Sequence, residues 1–172
     1  MEMLNKGKML QRTYFLKGVS MITKINFTET DTVQKLFDLQ KAAYQVEAEL
    51  INFFEIPPLK ESFQEFQQCG EEFLGYFIDN KLAGAISYTI ENEELTICRM
   101  VVHPAHFRKG IAQKLLVAME LQNANCSAFK VATGRENTPA KNLYEKNHYQ
   151  WKRDVEVAPD VYISFFEKAG KN

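Results

Sequence analysis

The sequence predicts a single α/β domain, an α+β fold on a mixed, mostly antiparallel central sheet. Three observations carry this prediction. Hydrophobic periodicity switches from helical to alternating and back along the chain. A run of three alternating segments joined by short polar turns reads as an antiparallel meander. Finally, 172 residues, 45% of them hydrophobic and 25% charged, can bury one sizeable core, whereas two halves would each be of marginal size.

The elements follow in order. Residues 21–27 alternate from Met21 to Phe27 and predict a first strand. Thr30 or Asp31 is expected to cap a helix, with Asp31 also favourable to its dipole. Val33, Leu36, Phe37, Leu39, Gln40, Ala43 and Tyr44 then recur at helical spacing, which carries the helix to residue 50. Pro57 and Pro58 cannot continue it, and a second helix is expected over residues 59–68, ending at Gly70. The period changes to two over residues 73–78, 82–90 and 95–102. His103-Pro104 ends the third of these strands. A helix over 110–122, a strand over 128–133, a helix over 139–146 and terminal strands near 150–157 and 162–167 complete the order β-α-α-β-β-β-α-β-α-β-β. Residues 1–20 carry Lys6, Lys8, Arg12 and Lys17 against Glu2 alone, without an apolar core or a cleavage site. They are expected to be a disordered or non-native leader, with Met21 as an alternative start and the domain spanning 21–168.

Composition narrows function. With 21 Lys and Arg against 22 Asp and Glu, the chain lacks the basic excess of a nucleic-acid-binding surface, so any anion site must be local. No apolar run approaches the roughly 20 residues that cross a bilayer. Cys69, Cys98 and Cys126 are widely spaced, with no Cys-x-x-Cys pair, and read as small buried apolar residues of a cytoplasmic protein. His103, His106 and His148 lack metal-ligand spacing, and no metal is expected.

The most informative stretch runs from Val101 to Ala112. A strand enters a loop with adjacent bases Arg108 and Lys109, then Gly110, then an apolar helix. A helix start offers unpaired N–H groups and the positive end of its dipole, the physics of a phosphate site. Gly110 and the small Ala112 would let a ligand approach that backbone. Between Leu95 and Met119 there is no acidic residue, whereas Arg99, Arg108, Lys109 and Lys114 are present. The loop is not that of a nucleoside-triphosphate site, because G-x-x-x-x-G-K-S/T is absent.

This stretch resembles the GNAT superfamily of acyl-CoA-dependent N-acyltransferases. There a fourth strand leads into a loop of Arg or Gln, two residues, Gly, one residue, then Gly or Ala, whose amides cradle the CoA pyrophosphate. Gly110 and Ala112 match that pattern, while Phe107 stands in the first position. A second segment is similar to the family pattern N-x-x-A-x-x-x-Y-E-K-x-G-F. Asn137, Ala140, Tyr144, Glu145 and Lys146 are in place, Tyr149 stands for the aromatic, and His148 replaces the glycine. Asn147 or His148 must then supply the left-handed helix end.

The resemblance implies acetyl-CoA as cosubstrate. It implies cofactor contacts from Met100, Val102, Phe107, Arg108, Lys109, Gly110, Ile111, Ala112, Asn137 and Tyr144. Asn137 would bond the pantetheine arm and Tyr144 would sit near the thioester sulfur. Without the resemblance, Asn137 reads as a turn residue and Tyr144 as a core aromatic. The base is less determined. Alternation puts Glu94, Thr96, Cys98, Met100 and Val102 on one face, with Glu94 its only carboxylate; Glu47 and Glu55 are alternatives from the acceptor side. Phe53, Phe54, Ile56, Pro57 and Pro58 could wall the acceptor site. The expected activity is acetyl transfer to a small-molecule or peptide primary amine by direct transfer in a ternary complex. The alternative is a catalytically weak acyl-CoA-binding sensor or partner module. No nucleic-acid or membrane partner is expected, and a homodimer is left open.

Overall fold

The computed structural model describes residues 18–170. Strand β1 (Ser20–Lys24) precedes the long helix α1 (Thr30–Ile51) and two short helices, α2 (Pro57–Lys60) and α3 (Phe63–Gln67). Strands β2 (Glu72–Ile78), β3 (Lys81–Glu91) and β4 (Glu94–Val102) form the meander. A 3₁₀ turn (Pro104–His106) leads to α4 (Ile111–Gln122), β5 (Ala128–Gly134), α5 (Thr138–Lys146), β6 (Gln150–Ala158) and β7 (Val161–Ala169). The seven strands make one sheet in the order β1-β2-β3-β4-β5-β7-β6. Only β4 and β5 run parallel, so the sheet is mixed and mostly antiparallel, as the sequence predicts.

Turn chemistry closes the meander. Asp79 and Asn80, then Asn92 and Glu93, all take positive φ, which matches the twist of two-residue hairpins. Helices α4 and α5 bury Leu115, Leu116, Met119 and Tyr144 against Leu95, Ile97, Phe129 and Phe166. Helices α1 and α3 bury Val33, Leu36, Leu39 and Phe66 in a second cluster with Ile25, Phe73 and Val101.

Several local expectations change. The fold begins before Met21: Ser20 pairs with Ile78, and the Gly18 amide donates to Asp79 Oδ1 at 2.8 Å. The remainder of the expected leader, residues 1–17, lies outside the described residues. Neither Thr30 nor Asp31 caps α1; Glu29 holds the N-cap position, without a side-chain cap bond. The helix expected over 59–68 is two helices, because Ser62 and Glu65 form a reciprocal capping box that starts α3 afresh. Pro57 and Pro58 open α2, where their missing N–H groups cost nothing. Cys126 is buried as expected, whereas Cys69 is half-buried and Cys98 exposed.

The missing glycine after α5 is resolved by His148, which takes φ +69°. The Tyr149 amide donates to Tyr144 O at 3.0 Å and the His148 amide to Glu145 O at 3.1 Å, a Schellman ending in which the Tyr144 and Tyr149 rings pack 5.7 Å apart.

Helix α1 and the segment that joins α2 to β2 are tied to the sheet through Arg99. Its Nε and Nη2 donate to Glu71 at 2.8 and 2.9 Å, Nη1 and Nη2 to Glu61 at 2.6 and 3.0 Å, and Nη1 to Gln40 Oε1 at 2.7 Å. All five guanidinium N–H groups are thereby used. The sequence placed Arg99 with the bases of the phosphate loop; the structure instead commits it to this part-buried pair of carboxylates, beneath which Phe66 lies 5.2 Å away.

Two stability predictions follow from these contacts. Arg99→Met leaves Glu61 and Glu71 without their cation and should cost about 3–5 kcal/mol in urea denaturation. His148→Gly relieves the left-handed strain and should add about 0.5–1 kcal/mol, seen as a melting temperature about 1–4 °C higher.

Candidate functional site

Strands β4 and β5 pair only from Glu94↔Ala128 to Ile97↔Val131 and then part. Where they part, Cys98 of β4 has no partner on β3: Ser87 faces Arg99 while Tyr88 faces Ile97, a β-bulge. The extra residue reverses the inward and outward sense of the strand. Leu95 and Ile97 belong to the cluster under α4, whereas beyond the bulge Val101 belongs to the cluster under α1 and Met100 and Val102 pack towards α4. Glu94 therefore does not share a face with Met100 and Val102, which corrects the strict alternation assumed from sequence.

The gap between the strands opens into a cavity of about 100 Å³. Its walls come from Met100 and Cys98 of β4, Thr133 of β5, Asn137 and Tyr144 of α5, and Tyr44 and Glu47 of α1. Asn137 is itself the N-cap of α5, its Oδ1 accepting from the Ala140 amide at 3.2 Å, so the cap lies one residue before Thr138. Tyr144 is 3% exposed. Burial, and secondarily the charge of Glu47, push its phenol well above the usual value. Burial raises Tyr44 likewise, with Glu47 next in effect. Glu47 is pushed up by burial, opposed in part by the Asn137 side chain.

The other carboxylates named from sequence lie elsewhere. Glu94 pairs with Lys130 at 2.5 Å beside the turn of the β3–β4 hairpin and does not line the cavity. Glu55 is exposed and paired with Lys60. The suspected wall of Phe53 to Pro58 does not line the cavity either: Phe54 is exposed, and Ile56 packs on the α1 cluster. The marker missed in the sequence is Glu47 as part of a stripe. Gln40, Tyr44, Glu47 and Ile51, spaced four, three and four apart, place polar groups on the buried face of α1.

At the other end of the gap, β4 delivers the phosphate-type loop. His103 accepts from the Ala105 amide at 3.1 Å and caps the 3₁₀ turn. Phe107, Arg108, Lys109 and Gly110 are all exposed. Gly110 caps α4 at φ +74°, a conformation that an L side chain adopts only with strain. The Lys114 amide donates to Gly110 O at 3.1 Å, and the preceding amides of Ile111, Ala112 and Gln113 have no partner within the helix. The Ile111 side chain is buried in the core, so only its backbone faces the loop's open side. His106 is held below its usual value by burial and by Lys109 and His103. Among the described residues, no three His, Cys, Asp or Glu side chains form a metal-holding group, and no helix is long and apolar enough to cross a membrane.

Known proteins share this fold. The Thermoplasma acidophilum PaiA N-acetyltransferase, solved in complex with coenzyme A, superposes with a TM-score of 0.70 over 88% of this chain and 99% of its own, at 17% identity. The ribosomal-protein-S18-alanine N-acetyltransferase of Escherichia coli gives 0.71 over 90% and 98%, at 15% identity. At such identities the likeness speaks to the fold. The UPF0157 protein YqkA of Bacillus subtilis is 38% identical over 146 residues, 85% of this chain; the chain spans 43% of that relative's length. Residues 33–149 match the model of the Acetyltransferase (GNAT) family. With the matched span covering both the loop at Gly110 and the helix of Tyr144, the chain belongs to the Acetyltransferase (GNAT) family.

Proposed function

We propose that the protein transfers an acetyl group from acetyl-CoA to a primary amine, directly and within a ternary complex. The observation that carries this reading is the gap between β4 and β5, with an anion-binding helix start at one end and a buried tyrosine at the other. The residues fit the cosubstrate. Three unpartnered amides at the start of α4, with exposed Arg108 and Lys109, suit a pyrophosphate. Phe107 brings no charge where the family has Arg or Gln, so the backbone and the neighbouring bases carry the contact. The coenzyme A complex of the Thermoplasma acidophilum neighbour supports the same assignment. When bound, acetyl-CoA supplies an acetyl group activated as a thioester.

The remaining chemistry belongs to the chain. Backbone groups of β4 beyond Ile97 have no β5 partner and can bond an extended arm laid in the gap. Asn137, at the neck of α5, is placed to hold that arm, and Met100 and Val102 to pack along it. Tyr144, held neutral by burial, can donate a hydrogen bond to the departing thiolate. Full proton transfer from so weak an acid is uphill, so stabilisation by hydrogen bonding is the role its environment favours. The acceptor arrives mostly as an ammonium, and releasing its lone pair costs about 4–5 kcal/mol at neutral pH. A carboxylate on the acceptor side of the cavity therefore matters. The name of the Escherichia coli neighbour, an acetyltransferase of a protein's alanine, supports peptide amines beside small-molecule amines as acceptors. Three cysteines free of disulfides agree with a cytoplasmic site of action.

Titrating the protein with acetyl-CoA by calorimetry tests the reading first: saturable heat is expected, and its absence overturns it. Turnover across a panel of amines, polyamines and peptide N-termini then separates an enzyme from a binding module. Gly110→Val forces a branched side chain into a left-handed position and should weaken acetyl-CoA binding about 10-fold or more. Lys109→Ala should lose less and mainly reduce the salt sensitivity of binding. Equal affinity for wild type and the valine variant would remove the loop from the site. Tyr144→Phe keeps the ring but not the donor, and should lower kcat by about 10–1,000-fold with little change in acetyl-CoA affinity. A merely structural hydroxyl would instead leave kcat intact and lower the melting temperature.

A further inference from the structure

We propose that Glu47, on helix α1, is the general base that takes the proton of the acceptor amine; the proposal rests on reading the gap between β4 and β5 as the acetyl-transfer site.

Helix α1 is clamped on either side of Glu47. Towards its N-terminus, Gln40 accepts from Arg99 Nη1 at 2.7 Å and donates to Glu61 Oε2 at 2.7 Å, which fixes that turn to β4. At its C-terminus, Ile51 lies against Gly134, where a Cβ would come within 3.0 Å of the Ile51 Cγ2 atom. The glycine at the end of β5 permits that approach without displacing Ile51. Between these two contacts α1 crosses the open side of the gap, and Glu47 lines the cavity together with Tyr144 and Asn137.

The charge around it explains what the carboxylate is for. Other enclosed carboxylates have cations: Glu61 and Glu71 share Arg99, and Glu120 pairs with Lys168 at 2.7 Å. Among the described residues, Glu47 pairs with none. Arg99 has no N–H left to give, and Lys41 is spent on the carbonyls of Pro58, Leu59 and Glu61. The titratable or charged groups that face Glu47 are Tyr44 from its own helix, Cys98 and Arg99 from β4, and Tyr144 from α5; the lining residues of β5, Val131, Ala132 and Thr133, carry none. A half-buried carboxylate without a cation is a stability cost. The same setting holds its affinity for protons above that of an ordinary glutamate, which suits a base working near neutral pH. Burial first, and the charge of Glu47 second, keep Tyr144 protonated, so the donor stays a donor while the base is ionised.

The acceptor ammonium first releases one proton to solvent by way of the Glu47 carboxylate; the neutral amine nitrogen then bonds to the thioester carbonyl carbon, and a second N–H proton passes to the same carboxylate. The carbon–sulfur bond breaks, and the thiolate leaves against the Tyr144 hydroxyl. Glu47 returns its proton to solvent, and the thiolate takes one from it. The products are the N-acetyl amine and the free thiol of coenzyme A.

Glu47→Gln preserves shape and contacts while removing the base. With whichever amine of the panel the wild type acetylates, kcat/KM at pH 7 should fall about 100-fold or more. Acetyl-CoA affinity should stay within about two-fold, and the melting temperature should hold or rise, since a buried charge is gone. The acid limb of the wild-type pH profile should report an ionisation above the ordinary glutamate value and should vanish in the variant. Glu47→Asp, which retains a carboxylate, should keep more activity than Glu47→Gln. Wild-type activity in Glu47→Gln, or equal losses in the Gln and Asp variants, would overturn Glu47 as the base while leaving the transfer reading intact. A wild type that binds acetyl-CoA but acetylates no amine would overturn the transfer reading, and the assignment of Glu47 with it.

Discussion

The short pairing of β4 with β5 is the constraint on which the rest depends. Four residue pairs hold the two halves of the sheet together, and beyond Ile97 and Val131 the strands diverge. Each strand keeps a partner on its far side, β3 for β4 and β7 for β5, so neither needs the other to stay extended. The gap costs the chain only the hydrogen bonds of one parallel ladder segment. In return it exposes backbone groups that require partners, at a place flanked by the starts of two helices. The α4 cap follows β4 and the α5 cap follows β5, so the divergence directs both helix N-termini to the same cleft.

The bulge at Cys98 and the network of Arg99 are coupled to that divergence. In a regular strand, Arg99 would face the same way as Ile97, into the apolar cluster under α4. The inserted residue turns it towards α1, where Gln40, Glu61 and Glu71 can receive it. One irregularity thus does two things: it packs Met100 and Val102 towards α4, and it anchors α1 and the segment after α2 to the sheet. Replacing Arg99 with an apolar residue would remove that registration even if the core repacked well.

Element identity was largely legible in the sequence, because each strand and long helix carries its own periodicity and turn residues. Asp79-Asn80 and Asn92-Glu93 announce their hairpins locally, and Gly110 announces a left-handed cap. What was not legible depended on tertiary partners. The bulge at Cys98 leaves no local mark, so counting alternation back from Val102 put Glu94 on the wrong face. Arg99 looks like any other base near the phosphate loop until Glu61 and Glu71, both distant in sequence, are brought to it. His148 was constrained from the start by the absent glycine, and the structure chose it over Asn147. Asn147 is occupied instead by a reciprocal amide pair with Gln113, at 2.6 and 2.7 Å.

The near-zero net charge conceals a strong local separation. Once Arg99 is assigned to Glu61 and Glu71, the bases left at the loop before α4 are Arg108 and Lys109, while Lys114 donates to the Tyr76 hydroxyl at 3.3 Å, and no acid lies between Leu95 and Met119. On the α1 side the balance reverses: Arg99 and Lys41 stand against Glu47, Glu61 and Glu71. In the proposed reading, the same cleft presents a positive end suited to an anionic cosubstrate and a negative end suited to a cationic amine. Opposite charges placed at its two ends would draw the two substrates to different mouths of one gap. They would also discourage either substrate from occupying the other's place, which is what a direct transfer between two bound molecules requires.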